Sequence, residues 1–409
     1  MPEQTQPDKS RSATRMAFFY AAIFAMIGIH VPFWPVWLAA KGLTSTEIGA
    51  IIAASVGIKI LSNPLITHVA DRRGQRRPIM VILAVLAFGA FSLFNLTDGF
   101  WPILSVSMLF FAVWSPLMPL GESLAMLGGG HGADKNGTGG ETDYGRVRLW
   151  GSLTFIITAV GTGYILTGGT VEMIYQVLLG SLAFVVAVTL FLPPTRAPAA
   201  TDTRFASLSV LRDRRFVLFI AACALIQASH SVYYGFGTLN WKAQGYSETV
   251  IGLLWAEGVI AEIILFVFGA RMVARLEPSR MILAGGLAAT VRWATTGEAE
   301  GLAPLVVLQA LHAFTFAATH LGAIYFISRR VPKALSASAQ GVYSATVMGL
   351  ALGLAMFASG KLYGLFGAGA YHAMAVMAAV GAILAIFLAR IPRSDDNAGV
   401  PDETLDDTV

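Results

Sequence analysis

A single cysteine, Cys223, is present in this 409-residue sequence, which excludes a disulfide framework and a multi-cysteine metal site. Charge is nearly as scarce. Asp, Glu, Lys and Arg fill 13% of positions, where soluble domains carry about 25%. Hydrophobic residues make up 56%, and mean hydropathy is +0.66. A chain this long with so little charge has nowhere to place its apolar surface except in lipid. Enzyme signatures are missing too: there is no Walker A sequence, no H-E-x-x-H and no nucleophile elbow with partners. The Gly128–Gly140 stretch is glycine-rich but lacks the Lys and strand of a phosphate loop, so it reads as a flexible connection. No residue set asks for a cofactor or a metal. What is abundant is glycine, 42 of them, and small residues let membrane helices pack closely. The sequence describes an integral membrane protein that is not an enzyme.

A bilayer core of about 30 Å needs roughly 20 apolar residues in helix. Twelve such spans are predicted. In the first half they cover 15–38, 47–68, 78–97, 101–127, 147–167 and 171–192. In the second half they cover 215–240, 249–271, 279–296, 303–327, 335–360 and 371–390. Basic residues set the orientation. Of the 28 Lys and Arg, only Lys41, Lys242 and Lys361 fall in one set of alternate loops, and Lys59 and Arg292 fall inside spans. The rest mark the cytoplasmic side, with both termini there, by the positive-inside rule. The basic balance is therefore topology, and a nucleic-acid partner is excluded. This also places the Asn136-Gly137-Thr138 sequon on the cytoplasmic side, where it would not be glycosylated.

The chain repeats itself across its middle. Gly42-Leu43-Thr44-Ser45-Thr46-Glu47-Ile48-Gly49 resembles Gly245-Tyr246-Ser247-Glu248-Thr249-Val250-Ile251-Gly252, an offset of 203 residues (Gly42 to Gly245). The expected organisation is a cytoplasmic tail (1–14), a six-helix half (15–192), a cytoplasmic linker (193–214), a second six-helix half (215–390) and an acidic, solvated tail (391–409). Two parallel halves of this kind form a transporter, with substrate between them near mid-membrane. The loop Asp71-Arg72-Arg73-Gly74-Gln75-Arg76-Arg77 resembles the D-R-x-G-x-R-R signature of the major facilitator superfamily. That resemblance gives Asp71, Arg72, Gly74 and Arg76 a gating role on the cytoplasmic side.

Lys59, Glu122, Glu257, Glu262 and Arg292 lie well inside spans. Each costs about 2.5–3.5 kcal/mol at mid-membrane on insertion scales, so each must pair or face a wet cavity. The offset sets Lys59 against Glu262, which makes the two candidate partners across the cavity. Polar stripes at helical spacing mark inward faces: His312, Thr315, Thr319 and His320 on span 10, and Gln227, His230, Ser231 and Tyr234 on span 7. A His titrates near physiological pH, and either a His or a Glu here is a candidate proton carrier. Tyr233 and Tyr234 suggest an aromatic pocket, while Trp34, Trp37, Trp101 and Trp241 suggest the interfacial belt.

Several stretches carry a closer resemblance. Pro32-Phe33-Trp34-Pro35-Val36-Trp37, Asp143-Tyr144-Gly145-Arg146-Val147-Arg148-Leu149-Trp150-Gly151 and Ser231-Val232-Tyr233-Tyr234-Gly235-Phe236 resemble the phenylpropionate permease family. So do Ala261-Glu262-Ile263-Ile264, Val291-Arg292-Trp293 and Leu311-His312-Ala313-Phe314-Thr315-Phe316. The resemblance implies proton-coupled uptake of a small aromatic carboxylate such as 3-phenylpropionate, by a monomer in the cell inner membrane. A more distant similarity is to lactose permease, whose P-x-x-E matches Pro119 to Glu122 and whose G-R-x-R matches Gly145, Arg146 and Arg148. It nominates Glu122 and Arg148 for substrate, and places Arg292 and His312 near the proton site. Two positions depart from it. The proton-bearing Glu of that permease is Thr315 here, and its sugar-stacking Trp falls on Phe155. The proton role therefore moves to Glu262, with Glu257 second and His312 as relay.

For an anionic substrate, the expectation is that Arg292 or Lys59 holds the carboxylate while Tyr233, Tyr234 and Phe155 surround the ring. His230 and His320 are further candidates for the binding face. Sugar or nucleoside symport through Glu122 and Arg148, or export, are the alternatives within transporters. A non-transporting receptor or channel, or a membrane enzyme, is the alternative outside them.

Overall fold

The structure, a computed structural model, describes residues 9–128, 139–193, 211–331 and 336–391. The expected acidic tail, most of the linker and the Asn136 sequon lie outside the described residues. Among those described, the chain is helical without strands. Span 1 is α1 (Lys9–Ala40), span 2 is α2 (Ser45–Arg73) and span 3 is α3 (Arg77–Ser92). Span 4 is divided into α4 (Phe100–Trp114) and α5 (Leu117–Gly128) at Ser115-Pro116, since Pro116 has no N–H to continue the ladder. Spans 5 and 6 are α6 (Gly139–Leu166) and α7 (Glu172–Thr189); span 7 combines α8 (Arg214–Ala228) and α9 (Ser231–Ala243). Spans 8 and 9 are α10 (Glu248–Arg275) and α11 (Pro278–Thr296).

Two of the last three spans contain π-helical stretches. In span 10, α12 (Leu302–Ala310) and α13 (Thr319–Arg330) flank Ala313–Ala318; in span 11, α14 (Ser336–Tyr343) and α15 (Leu352–Phe366) flank Ser344–Ala351. Span 12 is α16 (Ala370–Arg390). Ten stretches of the described residues are long and apolar enough to cross a membrane. One of them, Ala339–Arg390, turns back at Gly367–Gly369 and so supplies two spans, while α11, which buries Arg292, completes the twelve. The first helix begins at Lys9 rather than at 15.

The duplicated motif is a helix-start device. Gly42 (φ +78°) and Gly245 (φ +86°) turn the chain in the left-handed region, which favours glycine. Thr44 then caps α2: its Oγ1 accepts from Glu47 N at 3.3 Å, and its own N–H donates to Glu47 Oε2 at 2.8 Å, a capping box. Ser247 Oγ accepts from Val250 N at 3.4 Å at the head of α10.

One turn inside, Gly49 and Gly252 mark two of the places where the halves cross. A Cβ on Gly49 would lie 2.7 Å from Gly360 Cα on α15, and one on Gly252 would lie 2.4 Å from the Ala159 carbonyl on α6. The partner glycines are as tight, with Gly360 2.6 Å from Ser45 O and Gly163 2.3 Å from Glu248 O by the same construction. Backbone therefore meets backbone at both seams, and the end of the bundle that carries Gly42 and Gly245 is closed. Thr167 Oγ1 adds a 2.9 Å bond to Thr249 Oγ1 across the second seam.

Burial corrects the belt reading. Trp34 and Trp37 are each 3% exposed and Trp241 1%, whereas Trp101 is 72% exposed as a belt residue would be. Trp34 stacks on Trp37 at 4.4 Å between ring centroids and packs on Phe91 and Phe94, so it faces the neighbouring helices.

Candidate functional site

The site in the second half grows from four spans: 7, 8, 9 and 10. Arg292 of α11 is 0% exposed. A buried guanidinium costs several kcal/mol unless it is paired and hydrogen-bonded, and here three residues accept from its terminal nitrogens. Nη1 donates to His312 Nδ1 at 2.8 Å and Thr315 Oγ1 at 3.1 Å; Nη2 donates to Gln309 Oε1 at 2.6 Å. The guanidinium carbon lies 4.8 Å from the centroid of the Tyr233 ring and 4.4 Å from that of Trp293, geometry in which desolvated cation–π contacts contribute about 2 kcal/mol.

These bonds fix the tautomers. Arg292 has only hydrogens to give, so His312 Nδ1 accepts and the His312 proton sits on Nε2. From there it donates to Glu262 Oε1 at 2.8 Å. Carbonyl oxygens only accept, so His230 Nδ1, 3.2 Å from Ile226 O and Gln227 O, carries that ring's hydrogen. His230 Nε2 then accepts from the Thr315 hydroxyl at 3.0 Å. Two donor chains leave Arg292, one through His312 to the Glu262 carboxylate and one through Thr315 to His230. Gln309 completes the shell by donating to Tyr233 OH at 3.0 Å and Leu254 O at 2.9 Å.

A π-helical stretch, Ala313–Ala318, runs through this part of span 10. His312 stacks on Phe316 at 5.5 Å and Phe316 on His320 at 6.1 Å, as i, i+4 neighbours on one helix face, and Thr315 shares Arg292 Nη1 with His312. Such π-helical turns cluster at functional sites because they reset side-chain register. Gln309, three residues before His312, is the component that the sequence reading missed; its signal was one polar residue in an otherwise apolar run.

The other expected residues are more dispersed. Lys59 does not meet Glu262; its ammonium lies over the Phe111 ring at 5.0 Å, while Glu262 pairs with His312. The duplication explains the difference. Equivalent positions on spans 2 and 8 each turn to a neighbour in their own half, span 4 and span 10 respectively. Glu257 is half-buried on α10. Tyr234 is half-buried and stacks on His230 at 5.7 Å, and Tyr233, fully buried, packs on Trp255 at 4.4 Å. Phe155 is buried against span 1, where a Cβ on Gly28 would reach its Cα at 2.9 Å. Glu122 is half-buried on α5. The side chain of Arg148 lies outside the described residues.

At the opposite end from Gly42, Gly74 ends α2 at φ +62° and its N–H donates to Asp71 O at 3.3 Å. Arg76, buried, reaches Asp71 Oδ1 at 2.9 Å and Ser123 Oγ of α5 at 2.7 Å, tying the loop to span 4. Arg72 is exposed.

Arg292→Met should destabilise the protein by about 3–5 kcal/mol, since it keeps the volume but strands the Glu262 carboxylate without its cation. Adding Glu262→Gln should recover part of that loss. Thermal melting in detergent measures both, and an unchanged single variant would show that the network does not hold the second half together.

The comparisons with known proteins agree with this architecture. A family model described as the MFS_1 like family matches residues 13–374. The chain is 33% identical over 384 residues to the probable 3-phenylpropionic acid transporter of Escherichia coli (strain K12), across 90% of this chain and 96% of that protein. It is 25% identical over 390 residues to maltose permease of Geobacillus stearothermophilus, across 93% and 95%. Among solved structures, the nucleoside transporter NupG superposes with a TM-score of 0.79 at 15% identity, covering 93% of this chain and 99% of that one, a likeness of fold alone. A family model along most of its length and a relative above 30% identity from end to end place this chain in the MFS_1 like family of the major facilitator superfamily, as a secondary transporter.

Proposed function

We propose that the protein couples the inward movement of a proton to uptake of a small aromatic carboxylate such as 3-phenylpropionate. The observation that carries the reading is the Glu262–His312–Arg292 chain, a carboxylate, an imidazole and a guanidinium in series inside the membrane. Glu262 carries the proton, His312 relays it and Glu257 stands second. Charge balance supports the coupling. An entering carboxylate adds one negative charge inside the membrane. A proton on Glu262 removes one, so substrate and proton together add no net charge, which low-dielectric surroundings favour. The name of the 33%-identical relative points to the same substrate class.

In this reading the chain is a monomer of the inner membrane with both termini cytoplasmic. The halves 15–192 and 215–390 rock about the site, and the 193–214 segment links them. The Gly42 end faces outside, and the Asp71–Arg76 loop braces the cytoplasmic side. Arg292 is spent on the relay, so Lys59 is the cation left for substrate.

The test is radiolabelled 3-phenylpropionate uptake into proteoliposomes, with and without an inward proton gradient. Accumulation that a protonophore abolishes is expected. Accumulation of lactose or a nucleoside in its place would retain the transporter and move the site to Glu122 and Arg148.

A further inference from the structure

Spans 1, 2 and 4 hold a second polar cluster whose chemistry is opposite to that of the relay. Lys59 of α2 lies over Phe111 of α4 at 5.0 Å and has no ion-pair or hydrogen-bond partner among the described residues. His30 of α1 meets the same Phe111 ring edge-on at 5.5 Å and stacks on Trp34 at 5.6 Å, with Nε2 buried and without a hydrogen-bond partner. One turn from Lys59, the Asn63 Oδ1 accepts from Ser115 Oγ at 2.7 Å, which leaves the amide nitrogen to donate. Ammonium, imidazole N–H and amide are all donors, and no carboxylate lies within ion-pair distance of Lys59 among the described residues.

A cation inside a membrane span without an anion is costly even where it is half-buried, and an unanswered buried donor costs about 1–3 kcal/mol. A structural lysine would be given a partner, as Arg292 is. A site made of donors beside aromatic faces is complementary to a ligand with a carboxylate at one end and a flat apolar group at the other.

We propose that Lys59, His30 and the Asn63 amide bind the substrate's carboxylate while Phe111 packs against its ring. This rests on the reading of the protein as a carboxylate transporter and names its specificity-determining residues. Two carboxylate oxygens offer about four lone-pair positions, enough for all three donors. The neutral amide keeps one acceptor oxygen and sets an NH2 donor against these donors, so it answers fewer of them.

The experiment uses the purified full-length protein in detergent, with binding measured by equilibrium dialysis of 3-phenylpropionate and its uncharged amide, 3-phenylpropanamide. The acid should bind at least about tenfold more tightly than the amide, the scale of one charge-assisted hydrogen bond. Lys59→Gln should weaken acid binding by a similar factor and amide binding far less, and Lys59→Arg should restore most of the acid binding. His30→Phe should keep the stacking and lose affinity for the acid only. Equal affinity of the wild type for acid and amide would overturn the proposal, without recourse to any variant. So would wild-type acid binding by Lys59→Gln, or no binding of the acid at all. Binding that depends on Lys59 but drives no gradient-dependent accumulation would leave this site standing and overturn the proton-coupled reading alone.

Discussion

Glu262→Gln should reduce accumulation of substrate to the level of equilibration while exchange of internal for external substrate stays within a few-fold of wild type. The two outcomes separate because of what glutamine keeps. Its Oε1 still accepts from His312 Nε2, 2.8 Å away in the wild type, so His312 holds its tautomer and Arg292 its acceptor. What is lost is a group that gains and loses a proton. An inward gradient of one pH unit supplies about 1.4 kcal/mol per proton, or roughly tenfold accumulation for one-for-one coupling. Without a carboxylate on the path that drive has no entry point, whereas exchange needs only a site that shuttles while loaded. Glu262→Asp, one methylene shorter, should retain partial accumulation. Wild-type accumulation by Glu262→Gln would transfer the proton to Glu257, which lies on the same helix and is half-buried.

The spans, the duplication and the inward faces of spans 7 and 10 were legible because they are periodic, and a helix in lipid must satisfy its own backbone. Partner choice was not. An offset of 203 residues sets Lys59 and Glu262 at corresponding positions of spans 2 and 8, yet each lies beside a neighbour in its own half, Phe111 and His312, rather than against the other. The His312–Phe316–His320 column escapes a polar pattern because its middle member is apolar, although i, i+4 spacing sets all three on one helix face. The tryptophans failed for a third reason. An indole near a predicted helix end suits an interface, but whether it meets lipid or protein depends on helix rotation; Trp34 and Trp241 turned inward and Trp101 outward. Gln309 was overlooked because a lone amide in an apolar run has no pattern, although three residues from His312 is one turn of the same face.

The paired substitution Gly49→Val and Gly252→Val should slow transport by at least thirtyfold while substrate binding persists. Both glycines come from the repeated motif, and each sits where backbone crosses backbone between the halves, so a side chain has no flexible neighbour to displace. Overpacking a tight seam costs about 1–3 kcal/mol. That cost falls only on the state in which the Gly42 end is closed, because opening separates α2 from α15 and α10 from α6. Two seams together penalise closure by roughly 2–6 kcal/mol, and 2 kcal/mol already shifts a two-state equilibrium about thirtyfold. Alternating access requires that end to close in every cycle, so the variant accumulates with the Gly42 end open, the outside in the proposed orientation. A single-cysteine reporter makes the shift visible. Cys223 is buried and can be replaced by Ser, and Ile52, whose Cδ1 would lie 3.8 Å from a Cβ on Gly235, becomes the labelled position as Ile52→Cys. Labelling by a membrane-impermeant maleimide should speed up at least tenfold in the paired variant. Each single substitution should give an intermediate rate, since the two seams are separate. Wild-type transport together with unchanged labelling would mean that this end of the bundle does not need backbone contact to seal, and that the repeat marks helix starts alone.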